Sequence, residues 1–248
     1  KTILQFLPTE VLPNVPEPLK FSDFFINAYA DHDTGVIGVL SLEGIFFLIT
    51  QQGLEFADFY KQLYQLVTPR VMYAKYRVRF FEFLTKCLAR NQMLPAHIIA
   101  AFCKRICRCA LNAPPSAILF CLGLVSNLIR LHPECACLIN RQGGDEVNDE
   151  FNAGEDDPVK CNALRSCLWE LCVLEKHYIP AIQTLAKGLG SVEESKMPLH
   201  MMEDFIDHSY KSLFDYEKKK RAKTALAFTK PTGLFTADDI FSNVLDTN

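Results

Sequence analysis

The sequence predicts an all-helical protein, an irregular α-solenoid of helical hairpins related in type to HEAT and armadillo arrays. Three observations predict it. Apolar residues recur at helical spacing through most of the 248 residues, whereas no run alternates with the period of a strand. Proline, glycine and asparagine punctuate the chain, leaving connections of only a few residues, so that neighbours in sequence are expected to pack antiparallel. No fixed-period repeat is present, which makes the solenoid a degenerate one.

The elements follow in order. Residues 1–19 read as the end of a preceding helix, TILQFL, and a connector, PTEVLPNVPEPL, whose four prolines argue against regular structure. The chain starts at Lys1 without a methionine, and we expect it to be a piece of a longer one. Residues 20–221 form the helical domain. Ser22 caps a helix to Ala30, and Asp31–Gly35 is a turn. Val36–Thr50 is apolar nearly all round, as suits a helix buried between neighbours, and Gly53 stops it. Phe56–Val67 is amphipathic. Arg70–Arg90 reads as the longest helix, with Glu82 four residues before Lys86 as a helix pair. Leu94–Leu111 follows Pro95, Ser116–Leu131 follows Pro114 and Pro115, and Pro133 starts a fourth helix of this central stretch. Arg141–Lys160 is a different material, with seven acids and three glycines. It reads as a solvated loop, or a segment that orders on a partner, and as dispensable for folding. Helices at Ala163–Glu175, Ile179–Leu189 and Pro198–Arg221 resume the pattern, the last ending in the basic run Lys218-Lys219-Lys220-Arg221. Residues 222–248 form a tail with a short helix from Ala237.

Composition excludes some classes of function. The net charge is −3 and hydrophobic residues make up 49%, so the chain is no polycation built for nucleic acid. No apolar run reaches the length a bilayer needs, because Glu43 interrupts Val36–Thr50 and Ser126, Asn127 and Arg130 interrupt Ala117–Leu131. The ten cysteines sit inside helical patterns and read as reduced, buried thiols of an intracellular protein. No phosphate loop, nucleophile elbow or zinc-protease motif is present. Cys103, Cys107 and Cys109, and the Cys135–Cys137 pair, lack the paired turns of a metal site and read as core. His200, Asp204 and His208 would share one face of a continuous helix and could hold a metal, which gives a remote alternative as a metal-dependent hydrolase. A solvated polar face explains them better. We assign no catalytic, cofactor-binding or metal-binding residue.

Charge distribution gives the strongest interaction signal. From Arg70 to Arg130 ten Lys or Arg stand against the single acid Glu82, a local balance of +9. Two stripes carry it, Lys75, Arg79 and Lys86 on one helix and Lys104, Arg105 and Arg108 on another. Their heads are expected to face solvent or an acidic partner, so that reversing the second stripe would spare the fold. Trp169, the single tryptophan, is a further candidate partner anchor, set against burial on the next helix.

At these residues the sequence resembles a known family. KYRVRFFEF at Lys75–Phe83, LPAHIIAAFCKRICRCALNAPP at Leu94–Pro115, NLIRLHPEC at Asn127–Cys135, LRSCLWE at Leu164–Glu170 and GLFTADDIF at Gly233–Phe241 resemble the C-terminal half of members of the CCAAT-binding-factor-like nucleolar family. GVLSLEGIFFLITQQG, from Gly38, continues the likeness. One departure is Phe151–Gly154, where family members carry proline and more acids. The resemblance implies a helical, non-catalytic scaffold of the nucleus and nucleolus, acting in rRNA processing and small-ribosomal-subunit assembly within the small-subunit processome. Its implied partner is nucleolar protein fourteen, with other processome proteins and possible pre-rRNA backbone contact. It implies no cofactor, small-molecule substrate or membrane. The alternative on the same scaffold is an adaptor in transcription or nuclear transport.

Overall fold

A computed structural model describes residues 1–31, 35–89, 91, 93–140, 149–189 and 198–220. The expected turn after Asp31, the first part of the acidic segment and the expected tail helix from Ala237 lie outside the described residues. Every regular element among the described residues is helical. The chain divides into two compact units, Lys1–Tyr210 and Lys211–Asn248.

The first unit opens with α1, Thr2–Phe6, and here the structure corrects the sequence. Residues 8–19 are not an irregular connector. A π turn at Leu7–Val11 and 3-10 turns at Leu12–Asn14 and Pro18–Phe21 carry the chain on, each with proline in its first turn, where no N–H is needed. Leu4, Leu7 and Leu12 are buried, and α1 packs on α3, Gly35–Gln52. Gly53 ends α3 with φ of +68°, a conformation in which a Cβ would be strained.

Helix α3 also corrects a second expectation. Its 18 residues are apolar enough, by length and composition, to cross a membrane. It is instead a core helix, packed on α2 (Ser22–Asp31) and α4 (Phe59–Leu66). Its one charged side chain, Glu43, accepts a hydrogen bond from Arg79 Nε at 2.8 Å. Gly44 lets α2 approach so closely that a Cβ there would stand 2.2 Å from the buried Phe25 ring.

The helix expected over Arg70–Arg90 is two helices, α5 at Pro69–Tyr73 and α6 at Arg77–Leu88, because Ala74 turns extended at ψ of 148°. The pair expected between Glu82 and Lys86 does not form among the described residues. Helices α7, Ala96–Ala110, and α8, Pro115–Leu131, form where the sequence places them. From Pro115 to Ile129 every residue of α8 is buried. Around it pack α6, α7, a 3-10 helix at Pro133–Leu138, α10 (Pro180–Leu189) and α11 (Glu203–Ile206).

Two further helices are shorter than the apolar pattern suggested. Over Ala163–Glu175 the chain makes a 3-10 turn at Ala163–Arg165, extends at Ser166, and turns helical only in α9, Glu170–Leu174. The amide of Leu168 meanwhile donates to Leu138 O at 2.8 Å, a bond that a continuous helix would forbid. The last stretch is likewise broken into α11 and α12, Tyr210–Lys219. His200 therefore precedes the helix, and His200, Asp204 and His208 share no helical face.

All ten cysteines are free thiols. Seven are buried and Cys137 partly so, while Cys167 and Cys172 are exposed, against the expectation that all lie in the core. Burial pushes the inner thiols up, Cys109 to about 11 and Cys135 to about 12. A raised pKa withholds the reactive thiolate at neutral and mildly alkaline pH. We therefore expect alkylation of the native protein near pH 8 to label Cys167 and Cys172 quickly, and all ten only after denaturation. Peptide mapping of the fast-labelled sites checks this. Rapid native labelling of Cys103 or Cys121 would contradict the packing of α7 and α8.

Candidate partner-binding surface

Helix α7 is apolar except for His97 and its three cations, and the structure places each cation. Lys104 is fully buried, at 0% exposure, although its head was expected at the surface. Its ammonium lies 2.9 Å from Glu170 Oε1, 3.1 Å from Oε2 and 3.4 Å from Asp149 Oδ2, and donates to Cys167 O at 2.5 Å. Trp169 and Phe151 wall the site, with ring centroids 5.4 and 5.7 Å from Nζ. Desolvation raises the Glu170 pKa, and the hydrogen bond from Lys104 opposes that rise. Burial would raise Asp149 too, but hydrogen bonds from Ser166, the Phe151 amide and Lys104 outweigh it and hold the carboxyl below its usual value.

Arg105 caps a helix. Its Nε donates to Val67 O, at the C-terminal end of α4, at 2.9 Å, and its guanidinium lies over the Tyr64 ring at 4.3 Å. Its outer nitrogen reaches Asp156 Oδ1 at 3.4 Å. Arg108 stands 4.0 Å from Glu170 Oε1 and faces both the Trp169 and Phe151 rings, at 5.7 and 5.8 Å.

The acids that the cation stripe lacks nearby thus come from residues 149–170 of the same chain. This corrects two expectations together. Residues 149–160 are not a loop free in solvent. Asp149, Phe151 and Asp156 dock on α7, Pro158 is buried, and the Asn152 amide donates to Cys161 O at 3.1 Å. Reversing Lys104, Arg105 and Arg108 would place three carboxylates against this acidic segment, so the fold would not survive it.

The other stripe has a different setting. A groove of about 850 Å³ lies between α1 with its π turn, α3 and α6. Phe6, Val36, Tyr76 and Val78 give it apolar walls, and Lys75, Lys86, Glu10 and Glu82 stand along it. Arg79 is tied to Glu43 across the α3–α6 contact. Lys75 and Lys86 are exposed and form no ion pair among the described residues. Trp169, at 38% exposure, keeps an edge open beside exposed Val173. Of the sequence candidates, Lys75, Lys86, Arg108 and Trp169 thus present surface, Arg79 and Arg105 do so in part, and Lys104 does not.

Sequence reasoning missed three structural residues. Glu170 is the buried counter-charge. Asn127 clamps the 198–206 segment to α8 through both ends of its amide, Nδ2 donating to His200 O and Oδ1 accepting from His200 N, each at 2.8 Å. Arg77 donates to His208 O at 3.3 Å. A polar residue inside the apolar run of α8 was a visible signal for Asn127. No group of three or more His, Cys, Asp or Glu that could hold a metal ion occurs among the described residues.

Residues 38–186 match the model of the CBF/Mak21 family. Nucleolar complex protein 4 homolog B of Xenopus laevis is 41% identical, over 90% of this chain and 42% of its own length. Nucleolar complex protein 4 of Saccharomyces cerevisiae is 35% identical, over 96% of this chain and 47% of its own length. The human Nucleolar complex protein 4 homolog is 37% identical over 89% of this chain and 42% of its own length. The chain spans less than half the length of these curated relatives. The family match runs from α3 to α10, through the α7 clamp and α8, and on it the chain belongs to the CBF/Mak21 family.

Proposed function

We propose that the chain is a non-catalytic scaffold of small-ribosomal-subunit assembly, acting in rRNA processing within the small-subunit processome. That its relatives are named nucleolar complex proteins supports this reading. Nucleolar protein fourteen is the proposed partner, with other processome proteins beside it and pre-rRNA backbone as a further contact. The successive contacts of α2 with α3, α3 with α4 and α7 with α8 support reading the helices as an irregular solenoid, which offers long helical faces to partners. Residues 20–221 form the scaffold in this reading.

One observation carries the binding surface. Lys75 and Lys86 are cations without a carboxylate partner among the described residues, beside a groove with apolar walls. The α7 cations are by contrast occupied within the chain. An acidic partner helix would gain steering and register from the free pair and burial from the groove. The exposed edge of Trp169, beside Arg108, is a second, smaller contact in this reading.

We expect Lys75→Glu/Lys86→Glu to leave the melting curve nearly unchanged, since exposed substitutions of this kind stay within about 0.5 kcal/mol each. The same variant should co-purify less nucleolar protein fourteen and fewer small-subunit precursors, with the deficit greatest at low salt. A folded variant that enters the particle at the wild-type level would show that the α6 face is only solvated.

A further inference from the structure

The clamp absorbs the α7 cations and the groove engages those of α6, which leaves one strongly charged feature unexplained. Lys218, Lys219, Lys220, Arg221 and Lys223 place five cations within six residues, at the end of α12 and just beyond it. We propose that this run is a nuclear import signal, bound as an extended peptide in the acidic groove of an import adaptor. The proposal rests on the nucleolar reading above.

Three observations in the second unit support it. Lys218, Lys219 and Lys220 are all exposed. Helix α12 buries none of its residues, and a helix this short without tertiary packing is marginal in water, so its last turn opens readily. An ion pair there joins Lys220 to Glu217 at 2.6 Å, with both side chains more than 40% exposed, and water competes with such a pair.

Geometry favours a peptide groove over RNA. In a helix, consecutive lysines point about 100° apart, so no single face gathers them for a nucleic-acid backbone. In an extended chain they alternate at about 3.3 Å per residue, a pattern that a groove with acidic pockets can read one side chain at a time. Lys220 also lies over the Tyr216 ring at 4.6 Å, which occupies the aromatic face that a stacked base would need.

The test uses the whole chain fused to a reporter too large to diffuse through the nuclear pore. The wild type should accumulate in the nucleus. Lys218→Ala/Lys219→Ala/Lys220→Ala should fall to the nuclear-to-cytoplasmic ratio of the reporter alone, and an unrelated import signal appended to that variant should restore entry. In solution, purified adaptor should bind the wild-type chain and not the variant, while single-stranded oligouridylate binds both alike. A variant that enters as the wild type does would overturn the proposal, as would an adaptor that ignores the wild-type chain. Loss of oligouridylate binding with adaptor binding unchanged would reassign the run to RNA. A wild-type chain that enters the nucleus yet stays out of the nucleolus would contradict the proposed function and leave the import signal standing.

Discussion

Lys104→Met should destabilise the protein severely. The substitution nearly preserves volume, so packing is not the cause. It leaves the Glu170 carboxylate buried, with Arg108 at 4.0 Å as its nearest remaining cation, and leaves Cys167 O with the longer Ser166 hydroxyl bond at 3.3 Å. Breaking a buried ion pair from one side costs roughly 3–5 kcal/mol. For a domain of this size that lowers the melting temperature by roughly 6–20 °C. Glu170→Leu alone should cost less, because Asp149 Oδ2 at 3.4 Å and Cys167 O still face the ammonium. The double variant Lys104→Met/Glu170→Leu should recover most of the loss, since an apolar pair of similar volume is often as stable as the buried ion pair it replaces. A thermodynamic cycle over the four proteins measures the coupling. A single variant melting within two or three degrees of wild type (on the order of 1 kcal/mol) would mean that water reaches the pair.

Gly44 is the second sensitive position. In Gly44→Ala the new Cβ would stand 2.2 Å from Phe25 Cε1, 2.5 Å from Cδ1 and 2.6 Å from Cζ. The ring is fully buried and holds an edge-on contact with Phe24 at 5.6 Å, so α2 must move as a body. Overpacking of this kind costs about 1–3 kcal/mol. It opposes the gain of roughly 1 kcal/mol that alanine brings to a helix interior. We expect net destabilisation at alanine and a larger loss at valine, which adds bulk without alanine's helix propensity. Phe25→Leu combined with Gly44→Ala should be less harmful than the two single effects added together. A Gly44→Ala protein more stable than wild type would mean that the ring has room to turn.

Much of the helical plan was legible. Helices α2, α3, α7, α8 and α10 lie within a few residues of the segments that apolar spacing and punctuation marked out, because long buried faces leave a strong period. Breaks without glycine or proline were not legible. Nothing in Ala74-Lys75-Tyr76 announces the turn between α5 and α6, and the apolar spacing of Leu164, Leu168 and Leu171 hides the extended residue at Ser166. The prolines of residues 8–19 misled for the opposite reason. A proline breaks a helix from within but suits the first turn of the next, and Pro8, Pro13 and Pro18 are used in that way.

The candidate surface was half legible. A helix bearing cations without nearby acids marks a counter-charge somewhere, but sequence distance does not say whether another molecule holds it. Lys104 and Glu170 are 66 residues apart. The usable signal was that a local balance of +9 and a segment of seven acids occur in one chain of net charge −3. Opposite charges so segregated can meet by folding. The stripe of Lys75, Arg79 and Lys86 gave the same signal, and among the described residues Arg79 alone of the three pairs with an acid, Glu43.

Residues 149–174 fold onto α7 through the Lys104 clamp. Native hydrogen exchange read by peptide in wild type and Lys104→Met tests it most directly. The Asn152 and Leu168 amides, bonded to Cys161 O and Leu138 O, should be protected in wild type. They should lose that protection in the variant before α8 does. Free-chain exchange across 149–174 in wild type, with α7 and α8 still protected, would contradict the clamp and return the α7 cations to the surface.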